Sequence, residues 1–180
     1  MSFAQAFKEV VLVEGGYSNN PLDSGGATMY GITEAVARAN GYQGLMQDLQ
    51  LHQAEAIYRK LYWDRLRLDE IALLSLPIAL ELFDTGVNCG TGVAAGFLQR
   101  SLNVLNRQQA DYPDVAVDGD LGAQTLEVLK SYIYRRGARG ERVLLRALNC
   151  LQGARYIELA ERKQTQELFL FGWLANRVTV

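Results

Sequence analysis

The chain has 180 residues, 49% of them apolar and 21% charged, enough for one domain, or two closely joined halves, with a real core. Its formal net charge of −2 argues against a nucleic-acid partner, which calls for a basic surface. Two cysteines and a single histidine leave too few ligands for a zinc amidase or peptidase, so no metal or cofactor is expected.

The chain opens on Ser2 followed by Gln5, in the form of a capping box, and then places Phe3, Phe7 and Val10 at helical spacing. Continuing that helix at about 100° per residue brings Glu14 to within roughly 20° of the direction of Phe3. A carboxylate on the apolar face, at the negative end of a helix, is discouraged from ionising and holds its proton, as a general acid must. The plainer alternative is that Glu14 ends the helix and turns to solvent, with Gly15 as the residue past the cap. Gly15-Gly16 and Gly25-Gly26 tolerate positive φ, and Asn20-Pro21 forms turns, so the stretch predicts a loop or β-hairpin folding back over the helix end. Asp23 and Thr28 then face Glu14 across a cleft. A carboxylic acid, a carboxylate and a water-positioning hydroxyl form the equipment of glycoside hydrolysis.

Thr33 is a good N-cap for a helix ending near Asn40-Gly41, with Glu34 in its first turn. Leu51, Ala54, Ile57, Tyr58, Leu61 and Tyr62 mark an amphipathic helix running to about Arg65. Tyr62 and Trp63 at its end read first as core, and otherwise as the wall of a sugar-binding cleft. Ser75 and Pro77 open a helix that runs to about Cys89, where Gly90 and Gly92 end it; it is apolar nearly all round, hence a central one. Glu81, Asp84 and Asn88 form its one polar stripe. Such a stripe is either satisfied internally, the reading preferred for Glu81, or lines the floor of a cleft, an equal prospect for Asn88.

Helices are expected at Val93–Asn106, Gly122–Arg135 and Arg139–Lys163. The polar link from Arg107 to Asp120 contains Pro113 and is the natural joint between subdomains. Within it, Val117-Asp118-Gly119-Asp120-Leu121-Gly122 is physically a glycine-rich turn entering a helix. It cannot be an EF-hand, because Leu121, Gly122 and Ala123 stand where ligands would be needed. Phe169, Phe171 and Trp173 are expected to dock the tail onto the core. Cys89 and Cys150 read as buried thiols rather than a disulfide. A nucleophilic Cys89–His52 pair is disfavoured, since no basic neighbour lowers the thiol's pKa. No apolar run is long enough to span a membrane, and the N-terminus lacks the pattern of a signal peptide.

The stretch E-G-G-Y-S-N-N-P-x-D-S-G-G-A-T-M-Y-G-I-T resembles the signature of glycoside hydrolase family 108. These are lysozyme-like N-acetylmuramidases of phage and prophage endolysins and of proteins called secretion activators. The resemblance extends through Tyr62-Trp63-Asp64, Phe83-Asp84-x-x-Val87-Asn88 and Val117-Asp118-Gly119. It implies that Glu14 is the catalytic acid. The order Glu, Asp, Thr is similar to that of phage-type lysozymes, although the last interval there is one residue longer. D-S-G-G replaces the family's usual D-P-G-G, a change in turn stiffness rather than in chemistry. The turn that continues to Thr125 resembles the D-G-x-x-G-x-x-T of peptidoglycan-binding modules, and the family's C-terminal half is described as a predicted peptidoglycan-binding domain.

The expected protein is therefore mainly α and lysozyme-like, with a small loop or β-hairpin wing near the N-terminus. Residues 1–90 would form the catalytic half and 91–180 a helical, peptidoglycan-binding half packed against it. Its expected reaction is hydrolysis of the bond from N-acetylmuramic acid to N-acetylglucosamine, with Glu14 as acid, Asp23 and Thr28 assisting, and Tyr17, Tyr30 and Asn88 touching substrate. The alternatives are a lytic transglycosylase and a non-catalytic wall-binding protein that assists secretion or phage release. Without a signal peptide, a protein made in the cytoplasm would reach the periplasm or cell wall through a holin or a secretion system.

Overall fold

The structure, a computed structural model, describes residues 3–11, 16–18 and 26–178. The expectations for Ser2, the Val10 side chain, Glu14, Gly15, Asn20-Pro21, Asp23 and Gly25 fall outside them. As the sequence leads one to expect, the protein is mainly α, and its strands are confined to one short antiparallel ribbon among the described residues. Two compact units follow one another along the chain, Met1–Arg65 and Leu66–Val180.

The first unit is built on an aromatic column. Helix α1 (Phe3–Val11) buries Phe3, Ala6 and Phe7. Phe3 meets the edge of Trp63 at 5.4 Å between ring centres, and Phe7 meets Tyr58 at 5.6 Å, both in the tilted geometry that aromatic quadrupoles favour. Strands β1 (Thr28–Met29) and β2 (Ile32–Thr33) pair with Thr28 opposite Thr33 and Met29 opposite Ile32. Thr33 then caps α2 (Glu34–Ala39), its hydroxyl accepting from the Val36 amide at 3.4 Å.

Helix α3 (Leu51–Tyr58) carries the Tyr58 side of the column, but it does not continue as a regular helix to Arg65. Residues Arg59–Trp63 widen into a π-helical turn, in which the Asp64 amide reaches back five residues to the Arg59 carbonyl at 2.8 Å. In a regular α-helix, Tyr58 and Trp63 would point about 140° apart. The wider turn lets both face α1, and Trp63 is fully buried.

The second unit contains α4 (Leu68–Leu74), α5 (Leu76–Cys89), α6 (Thr91–Val104), α7 (Ala123–Arg162) and α8 (Glu167–Arg177). Helix α4 has no counterpart in the sequence reading. Its cues are the buried Leu68 and Ile71 and an acidic first turn, too short a pattern to stand out. Helix α5 is the central one: Ser75 caps it, Gly90 ends it at φ 98°, and Ile78, Ala79, Leu82 and Phe83 are buried. Helix α6 starts at Thr91, so Gly92 belongs to it and does not help to end α5.

Helix α7 breaks at Gly137 (φ 55°, ψ −154°), which divides it into two arms much as the sequence spacing implies. The 107–120 link lies inside this second unit and is firmly tied. Asn103 donates to the Val115 carbonyl at 2.8 Å and accepts from its amide at 2.9 Å, and Tyr112 donates to the Leu102 carbonyl at 3.0 Å. Two expectations need correcting. Cys150 is exposed rather than buried. Of the three tail aromatics only Trp173 docks, 5.1 Å from Tyr156 between ring centres, while Phe171 remains 85% exposed. The α8 sequence is too apolar on both faces for spacing to reveal which ring turns inward.

Candidate active site

The site starts from the wing of the first unit. Ser18 and Thr28 form an antiparallel bridge, with amide-to-carbonyl bonds of 2.8 and 2.7 Å in the two directions. Thr28 pairs with Thr33 on its other side, so it is the central residue of a miniature three-strand arrangement. The described residues on either side of Asp23 are thereby joined. Thr28 is half-buried, and its hydroxyl has no hydrogen-bond partner among the described residues.

The hairpin turns on Tyr30 and Gly31, both with left-handed φ (52° and 74°), as a two-residue type I′ turn demands. Gly31 is required twice over, because a Cβ there would lie 2.7 Å from the Tyr58 hydroxyl. That hydroxyl donates to the Tyr30 carbonyl at 3.1 Å and so fastens the wing to α3. Behind the wing, the Glu34 amide donates to the Ala27 carbonyl at 2.8 Å, and Glu34 pairs with Arg38 at 2.7 Å. Tyr17, half-exposed beside Ser18, and Tyr30 at the hairpin tip belong to this same wing. The structure therefore brings Tyr17, Thr28 and Tyr30 together. Glu14 and Asp23 lie outside the described residues, in the segments between α1 and the wing's first bridge and between that bridge and β1.

Asn88 belongs to the second unit, on α5. Its amide donates to the Asp84 carbonyl at 2.8 Å and the Asp84 carboxylate at 3.1 Å. The polar stripe on that helix is an internal network. Asn149 donates to Glu81 at 3.0 Å, Gln152 to Asp84 at 2.6 Å, and Arg177 to Asp84 at 2.6 Å. Thr85 adds a longer contact to Glu81 at 3.4 Å. Burial, and then the nearby Asp84 charge, push the Glu81 carboxyl up to about 7 despite these donors. Cys89 is raised to about 11 by burial, which removes the thiolate a nucleophile would need. His52 is exposed on α3.

The aspartate–glycine turn is also structural, and its partner was missed from the sequence. Gln99, fully buried on α6, donates to the Asp118 carboxylate at 2.8 Å and the Asp120 carbonyl at 2.9 Å, and accepts from the Gly119 amide at 3.0 Å. Asp118 also accepts from the Asp120 amide, and these bonds hold its carboxyl below the usual range. Gly119 has φ 76°, and a Cβ there would press on the Gly92 carbonyl at 3.0 Å. A glutamine inside an apolar helix gives no sequence sign of this role. Among the described residues no group of three or more histidines, cysteines and acids is placed to hold a metal ion. Nor is any described helix long and apolar enough to cross a membrane.

Comparison with known proteins gives two family matches. Residues 7–90 match the family Glycosyl hydrolase 108, and residues 93–178 match the Predicted Peptidoglycan domain. No curated protein matches the chain. Among solved structures, Brucella abortus SagA is similar, with 26% identity over 98% of this chain and 96% of its own, and a TM-score of 0.63. Residues 7–90 thus form a glycosyl hydrolase 108 domain, and that domain followed by a peptidoglycan domain makes the protein a peptidoglycan hydrolase.

Proposed function

We propose that this peptidoglycan hydrolase is an N-acetylmuramidase, cleaving the glycosidic bond between N-acetylmuramic acid and N-acetylglucosamine. Glu14 gives its proton to the leaving glycosidic oxygen as the bond to the anomeric carbon breaks. A water adds its oxygen to that carbon and loses a proton to Asp23. Thr28 orients the water, and Tyr17 and Tyr30 contact the sugars. Residues 1–90 act as the catalytic half and 91–180 as the wall-binding half. The protein acts on peptidoglycan in the periplasm or cell wall, reached through a holin or a secretion system.

The observation that carries this reading is the wing. Its Ser18–Thr28 bridge joins the chain on both sides of Asp23, and Thr28 offers a hydroxyl with no partner among the described residues. The aromatic column meanwhile anchors α1, the helix that leads towards Glu14. A binding protein has no use for an acid, a second carboxylate and a hydroxyl in one short run.

The test is Glu14→Gln on purified sacculi. The amide is nearly isosteric, so the fold should survive while activity falls about 10²–10⁴-fold. A variant that melts normally and clears sacculi at the wild-type rate would overturn the assignment. Mass analysis of the products separates hydrolysis from transglycosylation, because only the latter leaves an anhydro ring.

A further inference from the structure

At the elbow of α7 lies a hollow of about 350 Å³, lined by Leu105, Tyr132, Arg136, Arg139, Gly140 and Val143. The elbow exists because Gly137 adopts a φ of 55° with extended ψ, a combination open essentially only to glycine. Gly140 lets the two arms approach, since a Cβ there would sit 2.1 Å from Cβ of Arg136. Tyr132 fastens the bend from within, its hydroxyl donating to the Gly140 carbonyl at 2.9 Å. Two glycines and a buried tyrosine thus hold open a concavity lined by an apolar pair, Leu105 and Val143, and by two arginines.

The charge here runs against that of the molecule. Six of the chain's 18 basic residues fall between Lys130 and Arg146, against one acid, Glu141, although the whole protein carries a net −2. Arg136 is fixed in place by Asp111 at 3.0 Å, and that bond uses one of its terminal nitrogens. Asp111 is shared with Arg107, so the local carboxylate is already engaged twice. Arg139 is exposed and makes no hydrogen bond or ion pair among the described residues. Two planar, donor-only groups beside a small apolar wall suit a carboxylate attached to a small apolar side chain. A neutral sugar offers neither.

We propose that this hollow binds the free carboxylate end of a peptidoglycan stem peptide, with Arg136 and Arg139 on the carboxylate and Leu105 and Val143 against the alanine methyls. The inference rests on the peptidoglycan-hydrolase reading and deepens it: the C-terminal domain reads the peptide, while the N-terminal domain cuts the glycan.

The test titrates the intact ¹⁵N-labelled protein by NMR with Nα,Nε-diacetyl-Lys-D-Ala-D-Ala and with its C-terminal amide. The acid should shift the arginine side-chain signals and the Gly140 amide, and the amide should bind about tenfold more weakly or worse. Arg139→Gln should lose about tenfold in affinity for the acid without a change in melting temperature, while Arg139→Lys recovers part of it. Equal binding of acid and amide, an Arg139→Gln variant that binds like wild type, displacement of the peptide by an equal concentration of inorganic phosphate, or no binding at all each overturns the proposal. Digestion of sacculi by the same samples keeps the two readings apart. If the wild-type protein digests sacculi but ignores the peptide, only the hollow is misassigned. If it digests nothing, the hydrolase reading falls.

Discussion

Gly31 shows how much one position in the wing carries. Its left-handed φ and the 2.7 Å gap to the Tyr58 hydroxyl mean that an added methyl strains the turn and also dislodges the bond to the Tyr30 carbonyl. Gly31→Ala should therefore cost about 2 kcal/mol, from the two effects at about 1 kcal/mol each. Combining it with Tyr58→Phe, which removes the obstructing oxygen, should cost less than the sum of the two single changes in urea denaturation. Strict additivity would show that the turn and Tyr58 are not coupled as described.

Glu81 has a different signature, because its carboxyl is raised from 4.5 to about 7 by burial and by Asp84. In the unfolded chain it titrates as an ordinary glutamate. The folded state therefore holds a proton between pH 4.5 and 7 that the unfolded state has released, and the stability this confers is lost as pH rises through 7. The groups around it are Asp84, Asn149 and Thr85, with Arg177 paired to Asp84. Glu81→Gln should flatten the decline in melting temperature over that interval, and at pH 8 it should be more stable than the parent by on the order of 2 kcal/mol. A parallel pH dependence in parent and variant would show that Glu81 is not the group responsible.

At the scale of elements, three consecutive described residues just after α6 have left-handed backbone. Arg107, Gln108 and Gln109 all have positive φ, at 55°, 58° and 64°. Left-handed conformations cost a side-chain-bearing residue about 1–2 kcal/mol each, so something must impose them. The impositions are local: the Gln109 amide donates to the Asn106 side chain at 3.0 Å, the Asp111 amide to the Asn106 carbonyl at 3.2 Å, and Arg107 grips Asp111. The turn thereby delivers Asp111 to Arg136 beside the α7 elbow. Gln108 is exposed and its side chain makes no hydrogen bond among the described residues, so Gln108→Gly should relieve strain at little loss. We expect it to raise stability by about 0.5–1 kcal/mol in thermal melts; a decrease would mean that the left-handed turn costs nothing.

At the scale of the molecule, the chemistry proposed needs two carboxyl groups and water, and no metal enters it. Digestion of purified sacculi, which avoids effects of chelators on intact cells, should therefore proceed at the same rate in millimolar EDTA. Loss of activity on chelation, restored by a divalent cation, would overturn the two-carboxylate mechanism. The units divide between Arg65 and Leu66, whereas the matched families meet between residues 90 and 93, so α4 and α5 match the hydrolase family and pack in the second unit. A functional boundary near residue 90 is accordingly a proposal about activity, and a cut at that point would strip α5 from the helices that bury it.

The sequence by itself determined whatever depends on neighbours along the chain. Ser75 and Thr33 announced their caps, Gly90 its helix end, the α7 spacing its break, and the apolar circumference of α5 its central place, because capping and periodicity are local physics. The motif around Glu14 likewise pointed to the glycosyl hydrolase 108 model that matches residues 7–90. Only the tertiary structure decided which partners distant residues meet. It assigned Gln99 to the Asp118 turn, turned Trp173 inward while leaving Phe171 exposed, and widened the helix after Tyr58 so that Trp63 also reaches α1. It also gathered Leu105, Arg136 and Arg139 around one hollow. These choices rest on shape complementarity between residues 17 to 60 positions apart, and no periodicity in a linear chain encodes which of two similar faces will find its match.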